Sequence, residues 1–303
     1  MQVYLPIAEM TVPSGQILSL GLAVGFLSGL FGIGGGVLIT PFLIFMGLPP
    51  AVAVGTQATQ IIAASVSGVL GHWKRGNVDA RLAFVMLGGS SIGSLAGILI
   101  FRLLQRIGQI DIAIPILYVL LLGLMGGAML IESVFALLRR GQGGAEERPL
   151  HLHAAFQNLP ARMRFPRSKL YVSALLPAGI GFAGGLLVSI MGIGGGFLLV
   201  PAMIYILGMP TLLVVGTSMF QIMLTTVVTT MLHALSDQTI DLVLAALLIA
   251  GGVVGTQLGL RFSRRMKGVY ARAGLALLLL SVSAALGWQL FAPPDDLYSL
   301  AVR

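Results

Sequence analysis

Two glycine-rich stretches hold the residues best able to do chemistry. Gly34, Gly35 and Gly36 open the run GGGVLITP, and Gly194, Gly195 and Gly196 open GGGFLLVP, 160 residues later. Glycine at the start of a helix leaves backbone N–H groups unpaired and lets another group approach the chain closely. The N–H groups of Gly35, Gly36 and Val37, and of Gly195, Gly196 and Phe197, then form the positive end of a short helix, which favours an anion. A second polar set follows each run. Thr56 and Gln60 stand four residues apart, as do Thr217 and Gln221, so each pair shares one helix face. Gln57 and Ser218 flank these pairs. All of these donors are neutral. An anion buried among them needs several to converge, because an uncompensated charge is costly away from water. The chemistry implied is the binding of a small oxyanion without Lys or Arg. The same residue types also serve plain packing, glycine by close approach and Thr or Gln as bonds between helices.

Few other side chains compete for a functional role. His72 and His233 fall near the ends of apolar segments and are candidates for a gate or coupling group, or for simple interfacial capping. Glu132 is the one acid well inside an apolar run and is a third candidate for coupling, or a side chain that snorkels toward Arg139 and Arg140. Asp79 and Asp241 each precede an apolar segment and read as N-caps. The chain has no cysteine. GIGGGV lacks the third glycine of a dinucleotide fingerprint, and no P-loop, zincin or nucleophile-elbow pattern occurs. No nucleophile–base pair or metal constellation is visible, so the sequence reads as neither an enzyme nor a cofactor or metal protein.

The elements that must position these groups are membrane helices. Of 303 residues, 57% are hydrophobic and 9% charged, with mean hydropathy +0.98, against about 25% charged in soluble domains. The net charge of +8 is then read as cytoplasmic loop marking and not as a nucleic-acid footprint. Residues 1–15 contain no Lys or Arg, so no basic signal-peptide region is seen and the first helix is expected to be retained. Ten apolar segments are expected at roughly 16–31, 37–47, 50–71, 81–101, 112–138, 170–190, 197–208, 211–235, 242–260 and 269–291. Residues 139–169, rich in Gly, Pro and Arg, divide a first membrane repeat (1–138) from a second (170–303) and read as a cytoplasmic linker with seven Lys or Arg.

Landmarks recur in order across the halves. VGTQATQ corresponds to VGTSMFQ, and His72, Asp79, Gly93 and Gly97 to His233, Asp241, Gly255 and Gly259. Gly89, Gly93 and Gly97, and Gly251, Gly255 and Gly259, form small-xxx-small ladders suited to helix packing. The loop HWKRGNVDAR is basic and reads as cytoplasmic, whereas its mate SDQTID has no cation and reads as external. Equivalent loops on opposite faces imply an inverted repeat. The crossing count then requires the chain to reverse near the glycines and puts both termini outside. The second segment, about 16 Å long, reaches about half of a ~30 Å hydrocarbon core, so the glycine runs and Gln60 fall near the midplane. The fold class is an all-α polytopic membrane protein of about ten helical segments, with Gly-rich broken or re-entrant helices.

The paired GIGGG…P blocks, the VGTQATQ and VGTSMFQ blocks, and GHWKRGNVD with LHALSDQTID resemble the TauE/SafE family of sulfite and organosulfonate exporters. The resemblance covers the chain outside residues 1–14 and the linker. It implies an inner-membrane, multi-pass permease for sulfur oxyanions such as sulfite, thiosulfate or sulfonates. Some thiosulfate carriers of a related group use cysteines along their path, which this chain lacks. The expected partners are a small anionic substrate and the lipid bilayer, not nucleic acid, with the oligomeric state open. The expected mechanism is alternating access. The rivals are an anion channel of the same architecture and a non-transporting scaffold subunit.

Overall fold

The computed structural model describes residues 2–31, 36–139, 161–168, 170–236, 239–263 and 268–291. Gly34, Gly35 and most of the expected linker lie outside these residues. The order of elements occurs twice. The first half has β1 (Gln2–Leu5), β2 (Met10–Pro13), α1 (Ser14–Phe31), α2 (Gly36–Phe45), α3 (Pro50–Lys74), α4 (Ala80–Ile107) and α5 (Ile110–Arg139). The second has β3 (Arg162–Phe165), β4 (Leu170–Ser173), α6 (Leu175–Met191), α7 (Gly196–Tyr205), α8 (Thr211–Ser236), α9 (Leu242–Ser263) and α10 (Gly268–Phe291). Each of the ten expected apolar segments is a helix. Six of them are long and apolar enough to cross a membrane, and α1, α2 and α6 are shorter apolar helices.

The hairpins depart from the all-α expectation. β1 pairs antiparallel with β2, and β3 with β4, at positions 160 residues apart. Each turn opens on a proline, Pro6 and Pro166, the residue that pre-sets the first turn position. Residues 162–173 therefore belong to a folded hairpin, where the sequence reading has the end of a linker and the start of a helix. Leu5 and Phe165, equivalent in the repeat, are buried beside the turns of their hairpins.

The helices pair across the halves. α1 packs along α9 and α6 along α4, while α3 meets α8 and α5 meets α10. The glycine ladders are the reason two of these pairs can be so close. A Cβ on Gly89 or Gly93 would come closer than 3.0 Å to the Ala178 or Phe182 carbonyl oxygen on α6. One on Gly255 or Gly259 would meet Leu22 or Phe26 oxygen on α1 in the same way. The outward faces of α4 and α5 carry exposed Ile92, Leu95, Leu99, Ile116, Leu120 and Leu124, the pattern of a surface solvated by lipid.

Helix ends follow from local chemistry. Asp79 Oδ1 accepts from Leu82 N at 3.2 Å and caps α4, which stops at Gly108 with φ 73°. Asp241 Oδ1 accepts from Leu244 N at 3.1 Å and serves α9 likewise. α2 and α7 each run ten residues and carry a proline at the sixth, Pro41 and Pro201.

The ladder geometry makes a sharp prediction. Gly93→Ala places a methyl against α6 backbone, which cannot move aside as a side chain can, and overpacking costs about 1–3 kcal/mol even in forgiving cores. Detergent-solubilised Gly93→Ala is expected to lose thermal stability by several degrees. Gly88→Ala on the same helix, where the methyl meets nothing within 4 Å, is expected to match or exceed the parent. Equal melting of all three would contradict this packing.

Candidate functional site

The start of α2 meets the glycine break of the second half in the protein interior. α6 ends at Gly192, φ 69°, and α7 starts after Gly195, φ 66°, so two left-handed residues redirect the chain between them. Gly36, the first residue of α2, lies against Gly194: a Cβ there would be 2.7 Å from Gly194 N. The N-cap of α7 is Gly195, which has no side chain with which to cap the helix. Val37 is buried in the first turn of α2, and Gly196 and Phe197 open α7.

Gln57 is the bond between the breaks. Its Nε2 donates to the Gly36 carbonyl and, at 2.9 Å, to the Gly192 carbonyl, while its Oε1 accepts from Thr40 Oγ1. One buried amide on α3 thus satisfies carbonyls from both halves. Its repeat mate Ser218 does nothing comparable, donating to Val215 O of its own helix at 3.1 Å. Tyr118 on α5 satisfies a third carbonyl, its hydroxyl donating to Met191 O at 2.6 Å. Thr40 and Tyr118 are absent from the sequence-derived candidates. Their only signal was a polar atom inside an apolar run.

Gln60 and Gln221 lie one position from Ile61 and Ile222. Those isoleucines fill the space beside Gly194, and Ile61 also abuts Gly36. Both glutamines are buried. Among the described residues Gln60 Nε2 and Oε1 have no hydrogen-bond partner, nor has Gln221 Oε1. Gln60 touches the opposite half directly, and Gln221 connects to it through Thr225. Gln60 lies against Gly252 of α9. Gln221 donates to Thr225 Oγ1 at 2.8 Å, which meets Ser90 Oγ of α4 at 2.7 Å.

The threonines are placed differently from the sequence expectation of a shared Thr/Gln face. Thr56 Oγ1 accepts from Asp241 N at 3.0 Å, and Thr217 Oγ1 accepts from Asp79 N at 3.0 Å. Both hydroxyls hold loops of the opposite half. The glycines before them explain the VGT pair: a Cβ on Gly55 would strike Thr239, and one on Gly216 would strike the Asn77 carbonyl. Glycine admits the loop and threonine bonds it.

The remaining candidates stand apart from the breaks. His72 is half-buried near the end of α3, with its Cβ beside Gly216. His233 is fully buried: Nε2 lies 3.0 Å from the Ser189 carbonyl, and the ring meets Phe101 edge-on. A carbonyl can only accept, so that nitrogen carries the proton. Between Gln221 and His233, Ser94 Oγ meets Thr229 Oγ1 at 3.0 Å, continuing the row begun by Ser90 and Thr225. The first-half positions equivalent to Thr225 and Thr229 are Ala64 and Gly68. Glu132 is exposed on α5 and accepts from the Tyr205 hydroxyl at 3.2 Å. A cavity of about 220 Å³ opens away from all of these, touching Asp111 and Gln289 at the start of α5 and the end of α10. No group of three or more metal-ligating side chains occurs among the described residues.

A helical membrane protein with a repeated order of elements, in which the start of α2 meets the break before α7 in the buried interior beside uncharged polar side chains, has the makings of a solute transporter. The sequence profile of the family "Sulfite exporter TauE/SafE" matches residues 17–286, and the chain belongs to that family of membrane transporters. A "Probable membrane transporter protein" of Xylella fastidiosa is 34% identical over 251 residues, covering 81% of this chain and 83% of its own. The Bacillus subtilis "Probable membrane transporter protein YjnA" is 30% identical over 83% of this chain and 91% of its own. "Sulfite exporter TauE/SafE family protein 1" of Arabidopsis thaliana is 29% identical over 96 residues, 31% of this chain and 21% of its own. No solved structure matches the chain.

The bridging role of Gln57 is testable. Gln57→Leu strips Gly36 and Gly192 of a donor, and a buried carbonyl left unpaired, here that of Gly192 between the helices, costs about 1–3 kcal/mol. Thermal unfolding in detergent should fall markedly for Gln57→Leu and by less for Thr40→Val, which removes one donor to Gln57. Unchanged melting of Gln57→Leu would remove the amide from this role.

Proposed function

We propose that this protein is a secondary transporter of small sulfur-containing anions, of the kind exemplified by sulfite, thiosulfate or sulfonates, working by alternating access between inverted halves. The carrying observation is the meeting of two glycine-started helices at Gly36 and Gly194, with the unpartnered amide of Gln60 and the unpartnered Oε1 of Gln221 one residue from the isoleucines that touch them. Unpartnered buried polar groups are rare because they cost free energy, so a pair of them at one level calls for a ligand or water in part of the cycle. Helix starts and amide N–H groups supply donors and partial positive charge suited to an oxyanion. Among the described residues no Lys or Arg is buried, which keeps the site from holding the anion too tightly to release it.

In this reading the donors are the helix starts at Gly34, Gly35, Gly36 and Val37 and at Gly194, Gly195, Gly196 and Phe197, together with Gln60 and Gln221. Gln57 keeps the two starts together, and Ser218 lines the second. Thr56 and Thr217 act on the loops and touch no substrate. Ile61 and Ile222 must withdraw to admit the anion, so the conformation described here is a closed one. The family's name supports sulfur oxyanions as the substrate class. The hairpin contacts support the topology as well, since the N-terminal hairpin binds the loop before α9 and the second hairpin binds the basic loop before α4, faces that loop charge assigns as external and cytoplasmic.

Proteoliposomes loaded with sulfite, thiosulfate or a short sulfonate test this directly. Saturable flux of at least one is expected, with Gln60→Leu and Gln221→Leu each lowering it tenfold or more at subsaturating substrate. Gly88→Ala is expected to transport normally. Absence of flux and of calorimetric binding for the whole panel would refute the transport reading, and unsaturating channel-like currents would refute the carrier mechanism.

A further inference from the structure

Both aspartates that cap helices also do something a cap does not require. Asp79 and Asp241 are buried, and each splits its two carboxylate oxygens between the halves. Asp79 Oδ1 stays with α4, while Oδ2 accepts from Ser168 N at 3.1 Å and Ser168 Oγ at 2.6 Å in the turn of β3–β4. Asp241 Oδ1 stays with α9, accepting from Val243 and Leu244 N, while Oδ2 accepts from Ile7 N at 3.0 Å in the turn of β1–β2. The backbone N–H of each aspartate is taken by the threonine of the opposite half, Thr217 or Thr56. The hairpin, the loop and the long helix thus meet at one carboxylate at each end of the molecule.

This arrangement separates two functions on one side chain. The oxygen that caps the helix can keep its bonds while the other oxygen and the threonine let go. Release therefore parts the halves at one end without unwinding α4 or α9. Each hairpin also carries a buried plug residue, Leu5 or Phe165, that must travel with it.

We propose that these two clasps are the gates of the transport cycle: Asp241 with Ile7 and Thr56 closes the external mouth, Asp79 with Ser168 and Thr217 closes the cytoplasmic mouth, and one opens only while the other is made. The proposal rests on the alternating-access reading above. The two gates are unequal. The cytoplasmic one has the Ser168 hydroxyl and a bond from Arg167 Nη1 to the Val78 carbonyl at 2.8 Å; at the positions equivalent to Arg167 and Ser168 the external hairpin has Ile7 and Ala8. The external gate is accordingly the one that opens more readily in the absence of substrate.

The natural lack of cysteine allows a direct test. A lone cysteine replaces Ala64, buried on α3 one turn beyond Gln60, and its labelling by a membrane-impermeant maleimide is followed in vesicles of each orientation. Without further change, labelling from outside is expected to be the faster. Asp241→Asn keeps a capping oxygen, and its amide group has no lone pair for Ile7 N when the carbonyl oxygen caps the helix. It should raise external labelling at least threefold and leave cytoplasmic labelling unchanged. Asp79→Asn should do the converse. In a separate protein, Ser168→Cys with Asp79→Cys, oxidation should abolish anion flux and reduction should restore it.

The proposal is overturned if both Asn variants label at the parent rate, if either raises labelling equally from both faces, or if the oxidised, gel-verified cross-linked protein transports at the reduced rate. Size-exclusion profiles matching the parent identify the folded variants, and the Asn pair carries the test if the cysteine pair does not fold. Labelling that follows the pattern in a protein with no anion flux would leave the gates standing and sink the transported-anion reading. Intact flux with labelling indifferent to both substitutions would do the reverse.

Discussion

The constraint on which this structure depends is that a backbone broken inside an apolar slab must still satisfy its polar groups. An intact membrane helix does so internally, and a helix that stops and restarts cannot. The protein breaks its chain at Gly192 to Gly195 in the second half and restarts the chain at Gly36 in the first. It then brings the broken ends to one place. Gln57 and Tyr118 are the result: long polar side chains on otherwise apolar helices, aimed at the Gly192 and Met191 carbonyls where α6 ends, with Gln57 also reaching Gly36 at the start of α2. The tight α1–α9 and α4–α6 seams follow from the same need, because they leave little room for lipid beside the breaks.

The halves share a backbone plan but not a polar inventory. α8 carries Thr225 and Thr229 where α3 has Ala64 and Gly68, and α4 carries Ser90 where α9 has Gly252. Hydroxyl pairs therefore join the helices of one seam while glycine and alanine fill the other. Such bonds contribute only about 0.6 kcal/mol each on average inside membranes, so the row can rearrange without threatening the fold. Gln57 is the converse case, present in the first half and replaced by serine in the second. Duplication supplied the scaffold, and later substitution at matched positions differentiated its two ends.

Much of this was legible in the sequence because it depends on local pattern. Ten apolar runs became ten helices, since hydrocarbon length and helix rise leave little choice. The glycine ladders declared themselves by their four-residue spacing, and Asp79 and Asp241 by their place before apolar runs. The hairpins escaped because four-residue strands lie below the length at which alternation stands out from chance. The task of Thr56 escaped for another reason. Its partner Asp241 is 185 residues away, and helical spacing relates Thr56 to Gln60 without saying which face of the pair meets a distant loop. Gln57 was read as a flanking residue because nothing local reveals that it spans two breaks.

The crossing of hairpins between halves has a consequence for how the protein is made. Ile7 leaves the ribosome 234 residues ahead of its acceptor Asp241. At about 5–20 residues per second that delay is roughly 10–50 s. Throughout it, α1 sits in the bilayer with its glycine face uncovered, because α9 does not yet exist. The N-terminal half must therefore be inserted as an open, incomplete assembly and sealed retroactively by the C-terminal half, which makes the nascent chain dependent on lipid or an insertion chaperone to occupy the vacant seam.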